Sequence, residues 1–565
     1  MGDVSVMFDV VYVAHNSERW IDRCFNSWLH LDYDLNLINI YVVDNASCDE
    51  TVTLLRKFKE QEANRFASFQ IIEETTNWGF GKANNLGFLQ GKSDFVCFFN
   101  IDTELFSDTF SKLEEEVLNS DENVALLELR QFPYEHPKIY NVVSGETSWS
   151  SGAAFAVRRN IYNKIGGFDE KIFMYAEDVD LSWRIRSQGY LLKYVPRVRI
   201  YHYSYEKANE IKPNQYIYGV INNLLLRLRF GTLKDVIIWY VLFLNIFRKR
   251  ARFKGAKIGL LKAYFRHFIL VKHFRSGGRY RGAEVANFLR WEYDLNRDGS
   301  YYKQAVTDKK PLVSVIVRTC GRPCVLKECL ISLKRQTYDN LEIVVVEDGI
   351  NKSEELIRDQ FADMNILYKA TYEKVGRSKI GNIAMQMANG EYLNFLDDDD
   401  LFFADHIEVL VTSILLNNTL AAYATAFETE ISIKSKEPYL YETRKYIKRH
   451  TQAFDRIMLC HHNYIPIQCI MFHKELFVKY GGLDETVDAL EDWDMWLRYA
   501  MYTDFIFILK TTSIYRVPAD QETKQNRQKD LDNALLVMRK KHEEYKQPIS
   551  ARDIAMLYQK AEYRN

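Results

Sequence analysis

The chain has 565 residues, 47% hydrophobic and 27% charged, which is too long for one ordinary core and too apolar for disorder. Its 75 basic and 76 acidic residues leave a formal charge of −1, so no overall field suits a nucleic acid or other polyanion. The eight cysteines show no Cys-x-x-Cys pair or zinc-like spacing, and the start MGDVSVMFDV lacks a signal peptide's basic and apolar regions. Free thiols in a reducing cytoplasm are therefore expected.

From the amino end, residues 10–13 read as a strand and 18–29 as a helix. Residues 40–43 form a second apolar strand that ends at Asp44, with Asn45-Ala46-Ser47 behind it. A further strand at 95–99 runs into Asn100-Ile101-Asp102. Gly166-Gly167-Phe168-Asp169-Glu170 precedes Glu177-Asp178-Val179-Asp180, where the apolar and Arg spacing that follows predicts the start of a helix. His202 lies in a β-rich run after that helix.

The series then recurs in the same order. Residues 313–317 read as a strand and 325–333 as a helix. Residues 343–346 end at Glu347-Asp348-Gly349, with Asp348 lying 304 positions after Asp44. Residues 392–396 run into Asp397-Asp398-Asp399-Asp400, and Asp399 lies 297 positions after Asp102. Gly481-Gly482-Leu483-Asp484-Glu485 and Glu491-Asp492-Trp493-Asp494 repeat the last motif at offsets of 315 and 314. Four landmarks in one order make the chain two copies of one domain. Alternating strands and helices predict an α/β domain with a mainly parallel sheet, whose ligands sit beyond the carboxyl ends of the strands. All the acidic landmarks fall there.

Taken singly, Asp44 and Asp348 serve equally well as turn residues. The run Asp397–Asp400 is different, because four adjacent carboxylates repel one another. A divalent cation, Mn²⁺ or Mg²⁺, would relieve that repulsion and could steady a leaving diphosphate. Asp178 and Asp492 fall in a first helical turn, where the helix dipole favours an ionised carboxylate fit to act as a general base.

Together these residues resemble glycosyltransferase family 2, over about residues 5–205 and 311–520. The resemblance implies two GT-A domains, the Rossmann-like fold of nucleotide-diphospho-sugar transferases, in tandem, with inverting sugar transfer. It assigns the base to Asp178 and Asp492, nucleotide binding to Asp44 and Asp348, and the metal to Asp102, His202, Asp397 and Asp399. Asn77-Trp78-Gly79-Phe80-Gly81-Lys82-Ala83-Asn84-Asn85, Ser151-Gly152-Ala153 and the stretch from Phe173 to Asp180 resemble the bacterial rhamnosyltransferase-like branch. Asn77, Gly79, Lys82 and Asn85 would then contact the donor, a deoxythymidine-diphosphate 6-deoxysugar, most simply rhamnose. The second copy carries Gly381 where that family has Arg, so Arg377 or Lys379, with Asn382 and Asp397, would make the donor contacts.

Between the copies, residues 206–290 hold 18 Lys/Arg against 4 Asp/Glu. A 12-residue apolar run at 236–247 precedes Arg248-Lys249-Arg250, too short to span a bilayer but suited to an interfacial helix anchored by Trp239, Tyr240, Phe243 and Phe247, the alternative being a linker helix that packs its apolar side on a catalytic domain. The expected organisation is a domain at 1–205, a basic helical linker at 206–310, a domain at 311–525 and a helical tail at 526–565. The expected enzyme is a bifunctional glycosyltransferase at the cytoplasmic face of the inner membrane. It would take nucleotide-diphosphate sugars and extend a glycan or lipid-linked glycan of a surface polysaccharide such as O-antigen. The alternative is one catalytic domain beside a non-catalytic carbohydrate-binding or scaffold copy.

Overall fold

The structure, a computed structural model, describes residues 5–203, 212–275, 280, 285–487, 489–546, 548–551 and 554–555. It divides into two compact units, Met1–Gln304 and Ala305–Asn565.

In the first unit, strands β1 (Phe8–Ala14), β2 (Ile38–Asn45), β3 (Ser68–Glu74), β4 (Phe95–Asn100), β5 (Thr103–Leu105), β6 (Val124–Phe132), β7 (Ala154–Arg158) and β8 (Leu191–His202) form one sheet. Its order is β3-β2-β1-β4-β7-β6-β8-β5. The β3–β2–β1–β4 half is parallel, while β7 runs antiparallel to both β4 and β6. β1 and β2 are Val- and Ile-rich along their whole length because helices cover both faces. The helix Glu18–Trp28 turns Ile21, Cys24, Phe25 and Trp28 inward, the i, i+3, i+4, i+7 spacing of one helical face.

The second unit repeats this plan with β9 (Val313–Thr319), β10 (Leu341–Glu347), β11 (Ile366–Ala370), β12 (Tyr392–Phe395), β13 (Leu401–Phe402), β14 (Ala421–Lys436), β15 (Tyr439–Lys448), β16 (Ile470–His473) and β17 (Ile506–Pro518). The order β11-β10-β9-β12-β16-β14-β17-β13 matches the first sheet position for position, and β15 is an addition that pairs with β14. All eight cysteines are free thiols.

The basic segment packs into the first unit rather than standing apart. Its helix Pro213–Phe230 buries Leu224, Leu225, Leu226 and Phe230, and Phe230 meets Trp183 edge-on at 5.3 Å. The next helix, Leu233–Arg248, buries Trp239 and Phe243, one turn apart. Those two expected anchors therefore face inward. None of the described helices is long and apolar enough to cross a membrane.

Candidate active sites

Strand register sets which residues correspond. Ala14 pairs with Asp44, and Thr319 pairs with Glu347. Asp44 therefore corresponds to Glu347, and Asn45 to Asp348, which corrects the pairing of Asp44 with Asp348 by one residue. The side chains follow this register. Asp44 is buried, and its Oδ2 accepts the Ser47 N–H at 3.2 Å, but its Oδ1 has no hydrogen-bond partner among the described residues. Glu347 is committed to its own loop, accepting from the backbone N–H groups of Gly321, Lys352 and Ser353 and from the Tyr368 hydroxyl. Asn45 and Asp348 each grip the next loop, through Trp78 N–H at 2.9 Å and Val375 N–H at 2.7 Å.

That loop opens a helix in each unit, at Gly79 and Gly376, both in the left-handed region with φ +81° and +93°. A Cβ on Gly79 would lie 2.3 Å from the Phe173 carbonyl oxygen, so only glycine fits there. Asn77 accepts the Gly79 N–H at 2.9 Å, and the Lys82 ammonium lies 3.4 Å above the half-exposed Trp78 ring. Asn85 and Asn382 have a shared structural task. Each amide donates to and accepts from the backbone of the residue after the Gly-Gly pair, Phe168 or Leu483.

At the end of β4, Asn100 Oδ1 is buried without a partner among the described residues. His202 Nδ1 lies 2.7 Å from Gln131 Oε1, an acceptor, so Nδ1 carries the proton and the bare Nε2 points elsewhere. It points at Asp102 Oδ1, 3.5 Å away. Two lone-pair bearers facing each other at that distance call for a cation between them, and the Gln131 contact is the orienting partner a metal-binding histidine needs. Asp102 and His202, with Asn100 nearby, fit a divalent cation.

The second cluster has been answered differently. Arg318, one residue before the end of β9, holds Asp397 in a fork at 2.6 and 2.8 Å and reaches Glu491 at 3.0 Å. Asp398 accepts from Thr319 at 2.7 Å and from Arg322, and Asp400 accepts the Arg516 N–H at 2.8 Å. Asp399 alone is half exposed, 3.4 Å from Arg322. Arginines thus offset the charge of Asp397 and Asp398, while burial and the Asp399 charge raise the Asp400 carboxyl, and no group of three His, Cys, Asp or Glu among the described residues is placed to hold an ion. Asp397 and Asp399 do not fit the metal-ligand role expected of them. The position of His202 falls to Tyr515, since β5 and β8 pair Glu104 with Tyr201 while β13 and β17 pair Leu401 with Ile514. Arg377 lies 4.0 Å from Glu491 and is exposed, as is Lys379.

Glu177 and Glu491 open the helices Glu177–Arg186 and Glu491–Ala500, and the residues before them, Ala176 and Leu490, both sit at positive φ, +71° and +61°. A strained non-glycine backbone at one point in both copies marks a place held for function. Asp178 accepts the Gly152 N–H at 2.8 Å, and Asp492 accepts the Asn463 amide at 3.0 Å. Burial pushes the Asp178 carboxyl up. Burial and the Glu491 charge push Asp492 up to about 7. Glu177 Oε2 is buried without a partner among the described residues. Arg318, Gln131 and Asn463 are site residues that no motif announced. Arg318 follows the apolar run 313–317, and the other two lie outside any repeated landmark.

The family model for glycosyl transferase family 2 matches residues 9–181 and 314–481, one stretch in each unit. The chain belongs to glycosyltransferase family 2. Each of its two units, built on the same sheet order, carries one of the matched stretches. Among curated proteins, an uncharacterized glycosyltransferase of Rickettsia typhi is 27% identical over 208 residues, 36% of this chain and 64% of its own length. The chain spans just under two thirds of that relative. An N-acetylglucosaminyl-diphospho-decaprenol L-rhamnosyltransferase of Mycobacterium tuberculosis is 47% identical over 55 residues, 10% of this chain and 18% of its own. Among solved structures, a mannosyltransferase of Pyrobaculum calidifontis in complex with GDP-Man and Mn²⁺ shares 16% identity at a TM-score of 0.34, over 49% of this chain and 87% of its own.

Proposed function

We propose that this glycosyltransferase is bifunctional and inverting, each domain passing a sugar from a nucleotide-diphosphate donor to a hydroxyl of a growing surface glycan at the cytoplasmic face of the membrane. The observation that carries this reading is the identical placing of Asp178 and Asp492, each at a helix start after a strained residue and each held by a hydrogen bond from the facing loop. Such a carboxylate takes the acceptor hydroxyl's proton as the oxygen attacks the anomeric carbon. The nucleoside diphosphate leaves from the opposite face, inverting the centre.

In the first domain, the free Oδ1 of buried Asp44 suits a donor N–H or O–H of the nucleoside. Asp102 and His202 would hold a divalent cation, Mn²⁺ or Mg²⁺, which when bound offsets diphosphate charge. The short, close match to a rhamnosyltransferase supports a dTDP-rhamnose donor there. In the second domain Arg318 is the positioning residue, bracing Asp397 against Glu491 beside Asp492. The exposed Arg322 and Arg377 can meet diphosphate charge.

A second reading, in which the second copy only binds carbohydrate, is favoured by the occupation of Asp397 by Arg318. One experiment separates the two. With a panel of nucleotide sugars and nucleotide release as the readout, Asp178→Asn and Asp492→Asn should each abolish a different sugar addition, by ~10²–10⁴-fold. If Asp492→Asn leaves every transfer at the wild-type rate, the second domain is not an enzyme.

A further inference from the structure

The helix Leu233–Arg248 turns Trp239 and Phe243 inward, and its outer face is apolar too. Leu233, Ile237, Tyr240, Val241 and Leu244 are 39–76% exposed and fall at i, i+4, i+7, i+8 and i+11, a single stripe. The helix Ala256–His267 and the turn after it repeat the pattern with Ile258, Leu261, Phe265, Phe268 and Ile269, 41–78% exposed. The stripes meet where the Tyr240 and Tyr264 hydroxyls approach to 3.4 Å and the Tyr264 ring packs on Phe265 at 5.5 Å. A continuous apolar face of this kind needs a partner.

Charge decides which partner. Residues 233–275 carry eleven Lys/Arg and one acid, Asp235, which is engaged in the Thr232 capping box. Lys262, Arg266, Lys272 and Arg275 are exposed on or just beyond the second helix. A second copy of the chain would set eleven cations against eleven. An anionic lipid surface takes up both the apolar stripes and the surrounding charge.

We propose that these two helices form a monotopic docking surface for anionic membrane, with the stripes dipping below the headgroups. This deepens the membrane-face location proposed above and rests on it. The surface also differs from the expected aromatic anchor, since Trp239 and Phe243 hold the helix to the protein instead of entering lipid.

The test uses the full chain and vesicles of phosphatidylglycerol and phosphatidylcholine in equal parts, read by co-sedimentation at low salt. The variant Ile237→Ser/Val241→Ser/Leu244→Ser/Phe265→Ser changes only exposed positions. It should bind at least tenfold more weakly than wild type while releasing nucleotide from donor sugars at the same rate. A second variant, Lys262→Glu/Arg266→Glu, should lose anionic vesicles similarly. Wild-type protein left in the supernatant would overturn both the surface and the membrane location. Wild-type binding with no loss in either variant would keep the location and overturn this surface. A wild-type dimer by light scattering that becomes monomeric in the stripe variant, with no vesicle binding, would give the face to a second copy.

Discussion

At the residue scale, the two sites differ most through one exchange. The first unit has Val13 beside Asn100, and the second has Arg318 beside Asp397, paired in the same strand register. A Cβ on Gly381 would lie 3.5 Å from Arg318 Cδ, so the guanidinium occupies space next to the position where the family pattern leads one to expect an arginine. Arg318→Met leaves half-buried Asp397 and buried Glu491 without their shared guanidinium, and should cost about 3 kcal/mol in urea unfolding. Arg318→Val/Asp397→Asn installs the first unit's pair and should recover most of that loss. A double variant no more stable than the single would show that the fork is not the source of the coupling. The base adds a pH dependence. Asp492 must be ionised to take a proton, and its carboxyl is pushed up to about 7, so second-domain kcat/KM should rise as pH rises through about 7 and fall below it. Arg318 favours the ionised form, so Arg318→Met should move that acid limb upward. A limb near the ordinary carboxylate range in the wild type would argue that Asp492 is not the titrating base. Chelation should silence the first domain's transfer and spare the second's, because Asp102 faces His202 while Asp397 is held by Arg318. Equal inhibition of both would contradict that asymmetry.

At the scale of elements, the strongest repeated motif turns out to do two jobs. Arg184 donates to the Ile165 and Gly167 carbonyls at 3.1 and 2.7 Å and to Asp180 at 2.7 Å, while Arg498 does the same for Tyr480, Gly481, Gly482 and Asp494. The arginine and second aspartate of Glu-Asp-x-Asp therefore clamp the Gly-Gly loop, which leaves the first Glu-Asp pair for the proposed chemistry. Arg184→Ala should cost about 3–5 kcal/mol by leaving Asp180 buried and less paired, with the loss read as a lower urea midpoint. A change within ~0.5 kcal/mol, typical of exposed positions, would deny the clamp. This explains what was legible beforehand. Strand-end acids stand out because an apolar run stops at a charge, and a doubled motif stands out by its spacing. Which acids face the cleft and which face a clamp depends on partners such as Gly152, Asn463 and Arg229, brought in from distant sequence. Arg318 was invisible for the same reason: the apolar run stops at Val317, so the arginine reads as the start of a loop until its two carboxylates are seen.

At the scale of the whole molecule, each copy is completed by a helix that follows it. Arg229, from Pro213–Phe230, pairs with Asp169 at 2.5 Å and with Asp180, and Asn222 of the same helix donates to the Met174 and Tyr175 carbonyls just before the strained Ala176. In the second unit Lys541, from Gln521–His542, pairs with Asp484 at 2.5 Å and Asp494 at 2.8 Å. The segments expected as a linker and a tail are thus equivalent parts, each tying the Gly-Gly loop to the helix that bears the base. Domain boundaries drawn at 205 and 525 would cut both ties. A fragment of residues 1–205 would leave Asp180 without Arg229, and Trp183 without the cover of Phe230. It should be recovered aggregated or unfold without a cooperative transition. A fragment of residues 1–304 keeps the compact unit whole and should unfold in one cooperative step. The same contrast should hold between 311–525 and 305–565, with Lys541 as the missing cation. Urea unfolding followed by circular dichroism, after size-exclusion chromatography, reads both pairs. A soluble 1–205 fragment whose midpoint matches that of 1–304 would mean that the basic helices merely rest on a finished domain, and that the base is held in place without them.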